Sequence, residues 1–211
     1  WILSPRRSAA ITHTVIIVVV AVAANVVALR DRQPIAPPPA EYDPNPTGTD
    51  PEIAEAPPCV RLSIRAGPGT TTPLGLDLGV LLGTVPNRVV RGRDRTAFYL
   101  GPDEWLVLAD NAPDLAASAI AAASRHGASV VDVSDRYVAL TVAGTRAAWC
   151  LNGFCALDLA PHRFPVGMCT RTLFGKVEAI LWRVSADTFR MEIARSHLAY
   201  VRAALADADK T

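Results

Sequence analysis

Residues 130–159, VVDVSDRYVALTVAGTRAAWCLNGFCALDL, contain the pattern that decides the fold. The valine-rich start predicts a strand, and the alternation of apolar and small residues from Tyr137 to Ala143 predicts a second strand. Between them, Ser134-Asp135-Arg136 carries side chains that can bond their own backbone, which predicts a tight polar turn. Gly144 ends the second strand, and Thr145 is a suitable N-cap for a short helix. The stretch therefore predicts strand, turn, strand and helix in succession.

Similar strands and helices are predicted on both sides of this stretch. Apolar and polar residues alternate over residues 60–65, which predicts a strand with a solvated face formed by Arg61, Ser63 and Arg65. The other predicted elements are hairpins at 96–108 and 177–193, a strand at 168–173, a helix from a cap at Asp110 or Asn111 to Gly127, and a final helix that starts at Ser196. Residues 74–82 are apolar but interrupted by glycines, so helix and strand both stay open there. This order predicts an α+β fold with mostly antiparallel sheets, built from two ferredoxin-like split β-α-β units.

The first 58 residues differ in composition from the rest of the chain. Residues 11–29 form a nearly continuous apolar run, which as a helix would be roughly 28 Å long, close to a bilayer core. Residues 33–58 contain nine of the seventeen prolines, which predicts an extended linker. The sequence thus predicts an apolar segment at 1–32, a linker at 33–58 and a globular domain at 59–211. Three interpretations of the apolar segment stay open: a membrane anchor, an uncleaved export signal, or sequence that is not part of the working protein.

The overall composition excludes some classes of partner. The chain has 211 residues, half of them apolar, and a formal net charge of +1 at pH 7. This balance lacks the basic excess that is typical of nucleic-acid binding, so no nucleic-acid partner is expected. Four cysteines are too few and too scattered for a disulfide framework, which favours a reducing compartment. A cytoplasmic location is expected, with membrane anchoring through residues 11–29 as the alternative.

The sequence contains few candidates for catalytic chemistry. It has neither a dinucleotide-binding glycine loop nor a phosphate-binding GxxxxGK[ST] motif. Cys150, Cys155, His162 and Cys169 are not spaced as a metal clasp, so no metal site is predicted. Ser134 has no histidine placed by the sequence to act as its base, and a turn that bonds its own backbone explains it more simply.

Several charged and aromatic residues have structural interpretations. Four arginines fall within residues 88–95, which indicates either a solvated loop or strand edge, or a docking patch for an acidic partner. His126 lies at the end of the predicted helix, where a cation is favourable, and Trp105 is expected to pack in the core.

A family resemblance is visible in four motifs that follow one another in order. They are LGPDEWLVL at 100–108, the DVSDR-to-CALDL stretch at 132–159, FPVGMCTRT at 164–172 and RMEIARSHLAYVRAAL at 190–205. In these motifs the chain resembles the gamma subunit of heterotetrameric sarcosine oxidase and, more distantly, the folate-binding domain of glycine-cleavage aminomethyltransferases. The resemblance covers most of residues 59–211 and implies an aminomethyltransferase folate-domain-like fold.

The resemblance implies a non-catalytic structural subunit of an oxidoreductase complex that acts on a CH–NH group. Such complexes oxidatively demethylate sarcosine to glycine, form hydrogen peroxide and transfer the one-carbon unit to tetrahydrofolate. The family's cofactors FAD, FMN and NAD belong to the larger alpha and beta subunits, and zinc belongs to the small delta subunit. This chain is expected to bind none of these cofactors and to have the alpha, beta and delta subunits as its partners.

Two alternatives remain open from the sequence. The first is a stand-alone folate-binding protein of the aminomethyltransferase type. In that case Asp132, Arg136 and Arg171 are the candidate pocket residues, because a carboxylate and two guanidinium groups could bind a pterin-glutamate ligand. The second is a membrane-tethered interaction module anchored by its N-terminal run.

Overall fold

The computed structural model describes residues 47–48, 50–110 and 112–208. These residues form ten strands, four α-helices and one 3₁₀ turn: β1 Glu52–Glu55, β2 Val60–Arg65, α1 Thr71–Leu78, β3 Val89–Arg91, β4 Arg95–Gly101, β5 Glu104–Ala109, α2 Leu115–His126, β6 Ser129–Asp132, β7 Tyr137–Ala143, α3 Ala147–Asn152, β8 Cys169–Phe174, β9 Val177–Ser185, β10 Thr188–Ala194, the 3₁₀ turn Arg195–His197 and α4 Leu198–Ala208. Strand β7 has the predicted bounds, and the predicted hairpins are β4–β5 and β9–β10. The segment left open at 74–82 is helical as far as Leu78.

The strands form two five-stranded antiparallel sheets with the same internal order. The first sheet has the order β3-β4-β5-β2-β6, and the second has the order β8-β9-β10-β7-β1. In the first, β2-α1-β4-β5-α2-β6 is a ferredoxin-like unit with β3 added at the edge. The second repeats this order with β7, α3, β9, β10 and α4, but its last strand is β1, from the start of the folded domain. The predicted α+β fold with two ferredoxin-like units is confirmed.

The two sheets pack face to face, and each carries its helices on the outer face. In β5, Trp105 and Val107 pack with α1 and α2, whereas Leu106 and Leu108 pack against the second sheet. In β9, Trp182 points toward the first sheet while its neighbours pack with α3 and α4. Because side chains alternate along a strand, the central strands bury both of their faces. The layer order is therefore helices, sheet, sheet, helices, and Trp105 lies in the core as predicted.

The polar face of β2 is covered by the second sheet. Arg61 is 3% exposed, and its Nε lies 2.7 Å from Oε2 of the fully buried Glu192 on β10. Arg190 donates a hydrogen bond of 2.7 Å to the other carboxylate oxygen of Glu192. On the same face of β2, Ser63 is half-buried and Arg65 is exposed. The predicted solvated face is thus wrong at Arg61, because alternation identifies the two faces of a strand but not what covers them.

The C-terminal part of the segment predicted as a linker contains a strand. Glu52–Glu55 pairs antiparallel with β7, and the register places Glu52 opposite Ala143. Proline excludes a segment from central strands, but an edge strand pairs on one side only, and these four residues contain no proline. The folded domain therefore begins before residue 59.

The apolar run predicted at 11–29 lies within residues 1–46, outside the described part of the chain. Within the described part, no helix is both long and apolar enough to span a membrane.

The starts of the helices differ from the sequence prediction. The N-cap positions are Asp114 in α2 and Arg146 in α3, and neither side chain forms a capping hydrogen bond. The caps predicted at Asp110 and Thr145 are therefore wrong, and Asn111 lies outside the described residues. Helix α4 begins after a 3₁₀ turn that contains its predicted start. Both α2 and α3 start at a buried apolar residue, Leu115 and Ala147, whereas a capping pattern concerns only the polar residue before a helix.

We expect Glu192→Gln to lower the free energy of unfolding by about 3 kcal/mol or more, because a buried ion pair that loses one partner leaves the other charge uncompensated. Here Arg61 and Arg190 would both lose their carboxylate. The measurement is urea unfolding of the full chain followed by circular dichroism.

The control for this measurement is Glu178→Gln. Glu178 lies on the neighbouring strand β9, and its side chain is 54% exposed and 3.6 Å from Arg171. An exposed ion pair contributes about 1 kcal/mol or less. Equal stability losses in the two variants would contradict a special role for the buried ion pair.

Candidate functional site

A polar cavity of about 280 Å³ lies between the two sheets. Strands β2 and β5 of the first sheet contribute Arg65 and Glu104, and strands β7 and β8 of the second sheet contribute Tyr137 and Arg171. Arg136 lines the same cavity from the turn that precedes β7. The structure thus brings together two of the three predicted pocket residues, Arg136 and Arg171.

Arg171 is already engaged by a carboxylate of this chain. Its Nη2 donates to Oε1 of Glu104 at 2.5 Å, and its Nη1 donates to Oε2 at 3.3 Å. Arg65 Nη2 lies 3.0 Å from Oε2 of Glu104, and Arg171 Nε lies 3.6 Å from Glu178. The fork of Arg171 and both oxygens of Glu104 are therefore used within the protein, in the two-bond geometry that makes arginine–carboxylate pairs strong.

The electrostatics of this pair agree with its geometry. The hydrogen bonds from Arg171 hold the pKa of the Glu104 carboxyl below its usual range. The same hydrogen bonds raise the pKa of Arg171. The Glu104 side chain is 13% exposed, so this carboxylate is ionised in a largely enclosed position. A second anion at Arg171 would have to compete with Glu104.

Like Arg65, Arg136 is an exposed cation of the cavity. Its guanidinium carbon lies 5.3 Å from the ring centroid of Tyr137, within the range of a cation–π contact. Among the described residues, Arg136 forms no ion pair through its side chain within 4.0 Å. It can therefore meet an anion that enters the cavity.

Asp132 does not line this cavity. Its Oδ1 accepts hydrogen bonds from the backbone N–H and the hydroxyl of Ser134, at 2.9 and 2.5 Å. The Ser134 hydroxyl oxygen also accepts from the backbone N–H of Arg61 at 2.9 Å. These bonds close the turn by which the chain passes from β6 in one sheet to β7 in the other. Asp132 and Ser134 thus form a polar turn that satisfies its own backbone.

A second cavity, of about 240 Å³, lies near the other end of β5. Its charged lining is mixed: it contains the cations Arg91 and Arg190 and the carboxylates Asp94 and Asp110. Arg91 stacks over the ring of Trp182 at 5.5 Å. The cavity therefore has no clear preference for one sign of ligand charge.

The four cysteines of the described residues form no disulfide. Cys150, Cys155 and Cys169 are buried, and burial raises the pKa of Cys169 to about 12. Burial also raises the pKa of the half-buried Cys59. Since the thiolate is the nucleophilic form, thiols with a raised pKa are poor nucleophiles.

His126 contacts a carboxylate at the surface, and the described residues contain no cluster of metal ligands. Nε2 of His126 lies 2.9 Å from Oδ2 of Asp77, so this histidine joins α2 to α1 at the surface. In the described ranges no three His, Cys, Asp or Glu side chains converge as metal ligands would.

The residues that sequence reasoning missed are the partners in the ion pairs. Glu192 carried one signal, since it lies between Met191 and Ile193 on a strand with an apolar face. Its partner Arg61 is 131 positions away, so only the fold reveals the pair. Glu104 lies at the start of β5, within the predicted hairpin, and nothing in that pattern indicates that it is the carboxylate that holds Arg171.

Comparisons with known proteins place this fold in a family. The model of the family described as "Sarcosine oxidase, gamma subunit family" matches residues 66–211. The sarcosine oxidase subunit gamma of Corynebacterium sp. (strain P-1) is 30% identical over 148 residues, which are 65% of this chain and 68% of that protein. The corresponding subunit of Arthrobacter sp is 30% identical over 141 residues, with the same two shares.

Solved structures agree with the sequence comparisons. A chain of the heterotetrameric sarcosine oxidase from Corynebacterium sp. U-96, in complex with pyrrole 2-carboxylate, has a TM-score of 0.71 and 28% identity over 76% of this chain and 84% of that chain. The glycine cleavage system aminomethyltransferase T from Bartonella henselae has a TM-score of 0.56 and 14% identity over 72% of this chain and 44% of its own. The second likeness shows a shared fold and nothing more. The match of the family model over most of the folded domain, with relatives of 30% identity, shows that this chain belongs to the sarcosine oxidase gamma subunit family.

Proposed function

We propose that this chain is a non-catalytic structural subunit of a heterotetrameric sarcosine oxidase. Its membership of the gamma subunit family carries this proposal. The side-chain chemistry supports it, because the most enclosed carboxylates of the described residues are paired with arginines. Glu104 engages Arg171, and Glu192 engages Arg61.

In this proposal the reaction takes place in the partner subunits. The alpha and beta subunits hold FAD, FMN and NAD, and the delta subunit holds zinc. The N-methyl group of sarcosine is oxidised by two electrons, which pass to oxygen to give hydrogen peroxide. The methylene carbon passes to tetrahydrofolate and glycine is released. The gamma chain supplies a folded body that the other subunits contact.

The proposal also assigns a role to each segment of the chain. The subunit body comprises residues 59–211 together with β1, and the proline-rich linker precedes it. We place the working complex in the cytoplasm. The tethered alternative assigns residues 11–29 to a membrane, and fractionation of cells that express the full chain separates these two assignments.

Assembly is the direct test of the proposal. The full chain with an affinity tag is expressed together with the alpha, beta and delta subunits from the same organism and purified by size exclusion. The chain is expected to elute in a large yellow complex that oxidises sarcosine, since a structural subunit travels with the flavin-bearing subunits. Elution of this chain alone and colourless, while the other subunits assemble and turn over sarcosine, would overturn the proposal.

Folate binding separates the proposal from its nearest rival. One observation favours a stand-alone folate protein: Arg136 and Arg171 line the same cavity. Because Arg171 is held by Glu104, we expect no saturable binding when tetrahydrofolate is titrated into the isolated chain and followed by calorimetry. Saturable binding that Arg136→Ala or Arg171→Ala abolishes, and that Arg163→Ala retains, would favour the folate protein instead. Arg163 is a surface arginine outside the cavity.

The structural role of Glu104 predicts a pH dependence. Because its pKa is depressed in the folded state, Glu104 contributes stability that is present above its unfolded pKa of about 4.3 and is lost as pH falls through the lower folded value. Glu104→Gln is therefore expected to be less stable than the wild type by about 1.5 kcal/mol at pH 7, the size of a hydrogen bond to a charged group, and this gap closes toward pH 3.

Urea unfolding at a series of pH values measures the gap. The control is Asp103→Asn, since Asp103 is the neighbouring carboxylate and also pairs with Arg65, but its side chain is 57% exposed. A gap that stays constant with pH, or one that is equally large in the control, would mean that Glu104 does not hold Arg171 as described.

A further inference from the structure

Exposed large apolar side chains are concentrated in one segment of the first sheet's unit. Among the described residues, Leu76, Leu81 and Val85 are 71%, 58% and 62% exposed. All three fall within ten positions, from α1 to the loop before β3. The loop folds back on α1, since a Cβ added at Gly75 would lie 3.4 Å from the Cα of Leu81, and one added at Gly92 would lie 3.6 Å from the Cβ of Val80. Single exposed apolar residues are normal on a protein surface, whereas several in one place indicate an interaction site.

This segment is held firmly although its apolar side chains point outward. The Trp105 indole donates to the carbonyl oxygen of Gly83 at 2.7 Å, and the Arg95 guanidinium donates to the carbonyl oxygen of Leu78. Val80 and Leu82 are buried on either side of Leu81. The backbone is thus fixed by neighbouring core residues, and Leu81 is presented to solvent by a preformed loop.

Arginines lie directly beyond these apolar residues. Arg88 and Arg93 are exposed and take part in no ion pair within the described chain, and Arg91 is exposed while it stacks on Trp182. The exposed carboxylate in this stretch is Asp94, near Arg95. The apolar residues are therefore followed by a net positive surface, and arginine with aliphatic residues is a composition that protein interfaces favour.

We propose that Leu76, Leu81, Val85, Arg88 and Arg93, the Leu–Arg surface, dock a partner subunit whose facing patch is apolar and bordered by carboxylates. This inference rests on the proposed function, because it names the surface through which the gamma chain joins its complex. The apolar residues lose their water on association, and the arginines pair with the partner's acidic residues. A second copy of this chain is disfavoured, because a two-fold contact places the same patch against itself and brings arginine toward arginine.

A competition during assembly tests the surface. Tagged and untagged forms of the full chain are expressed together with the alpha, beta and delta subunits, and mass spectrometry gives their ratio in the purified complex relative to the lysate. The variant Leu81→Asp/Val85→Asp is expected to be depleted about tenfold, the loss that follows when central interface residues are removed. The matched control is Val131→Asp/Leu173→Asp, whose side chains are 53% and 60% exposed, and its expected ratio is that of the wild type. Val131 lies on β6, at the opposite edge of the first sheet from β3.

A second pair of variants tests the acidic character of the partner. Arg88→Glu/Arg93→Glu is expected to be depleted as well, whereas Arg88→Lys/Arg93→Lys keeps the charge and is retained more strongly. If only the aspartate variant is depleted, the partner patch is not acidic. Unfolding midpoints of the isolated variants are compared with the wild type. If the aspartate variant does not fold, the arginine variants decide the test.

The outcomes separate this inference from the function on which it rests. If the tagged wild-type chain does not enter the complex, the proposed function fails. If the wild type enters and the surface variants enter equally well, the function stands and the Leu–Arg surface is not the docking site. Self-association of the wild type that Leu81→Asp/Val85→Asp abolishes would assign the surface to a second copy instead.

Discussion

The ion pair between Arg61 and Glu192 joins an interior strand of one sheet to an interior strand of the other, and it constrains how the two sheets stack. Strand β2 lies between β5 and β6, and β10 lies between β7 and β9, so the pair connects the interiors of both halves. Burial of two charges is costly, and their attraction offsets that cost only in good geometry. Arg190 completes the geometry at the second oxygen of Glu192. A sheet pair stacked in another register would leave Glu192 with Arg190 alone and would bury Arg61 without its carboxylate, so the pair favours the observed arrangement of the sheets.

The repeated topology explains why the domain needs a strand from its own beginning. The first unit is completed by β6, which follows α2 directly. In the second unit no strand follows α4 in the described chain, and β1 takes the equivalent place beside β7. The proline content of residues 33–58 predicted a linker, because proline removes the amide that a central strand needs. That argument does not apply to Glu52–Glu55, which is the edge strand of its sheet and pairs on one side only. Composition over a long window thus concealed a short strand.

Local patterns predicted the elements whose cause is local. The bounds of β7 follow from its alternation, and Gly127 ends α2 with a φ of 67°, a conformation that glycine adopts without strain. The partner of Arg61 could not be predicted, because it is 131 positions away and any of several carboxylates would have fitted the pattern. The same distinction between local and long-range causes applies to the candidate site. The sequence predicted Asp132, Arg136 and Arg171 as pocket residues; Arg136 and Arg171 line one cavity and Asp132 does not, and the engagement of Arg171 by Glu104 is a property of the folded chain.

The distribution of paired and unpaired arginines indicates which kind of ligand this chain is suited to bind. Inside the domain, Arg61 and Arg171 are neutralised by carboxylates of the chain itself, and a ligand would have to displace those carboxylates to bind there. At the Leu–Arg surface, Arg88 and Arg93 lie in water beside exposed aliphatic side chains. An exposed guanidinium can gain a carboxylate when association removes water from the apolar residues next to it, so charge pairing and apolar burial occur in one step. Arginines paired inside the fold and arginines left unpaired at the Leu–Arg surface suit the recognition of another protein.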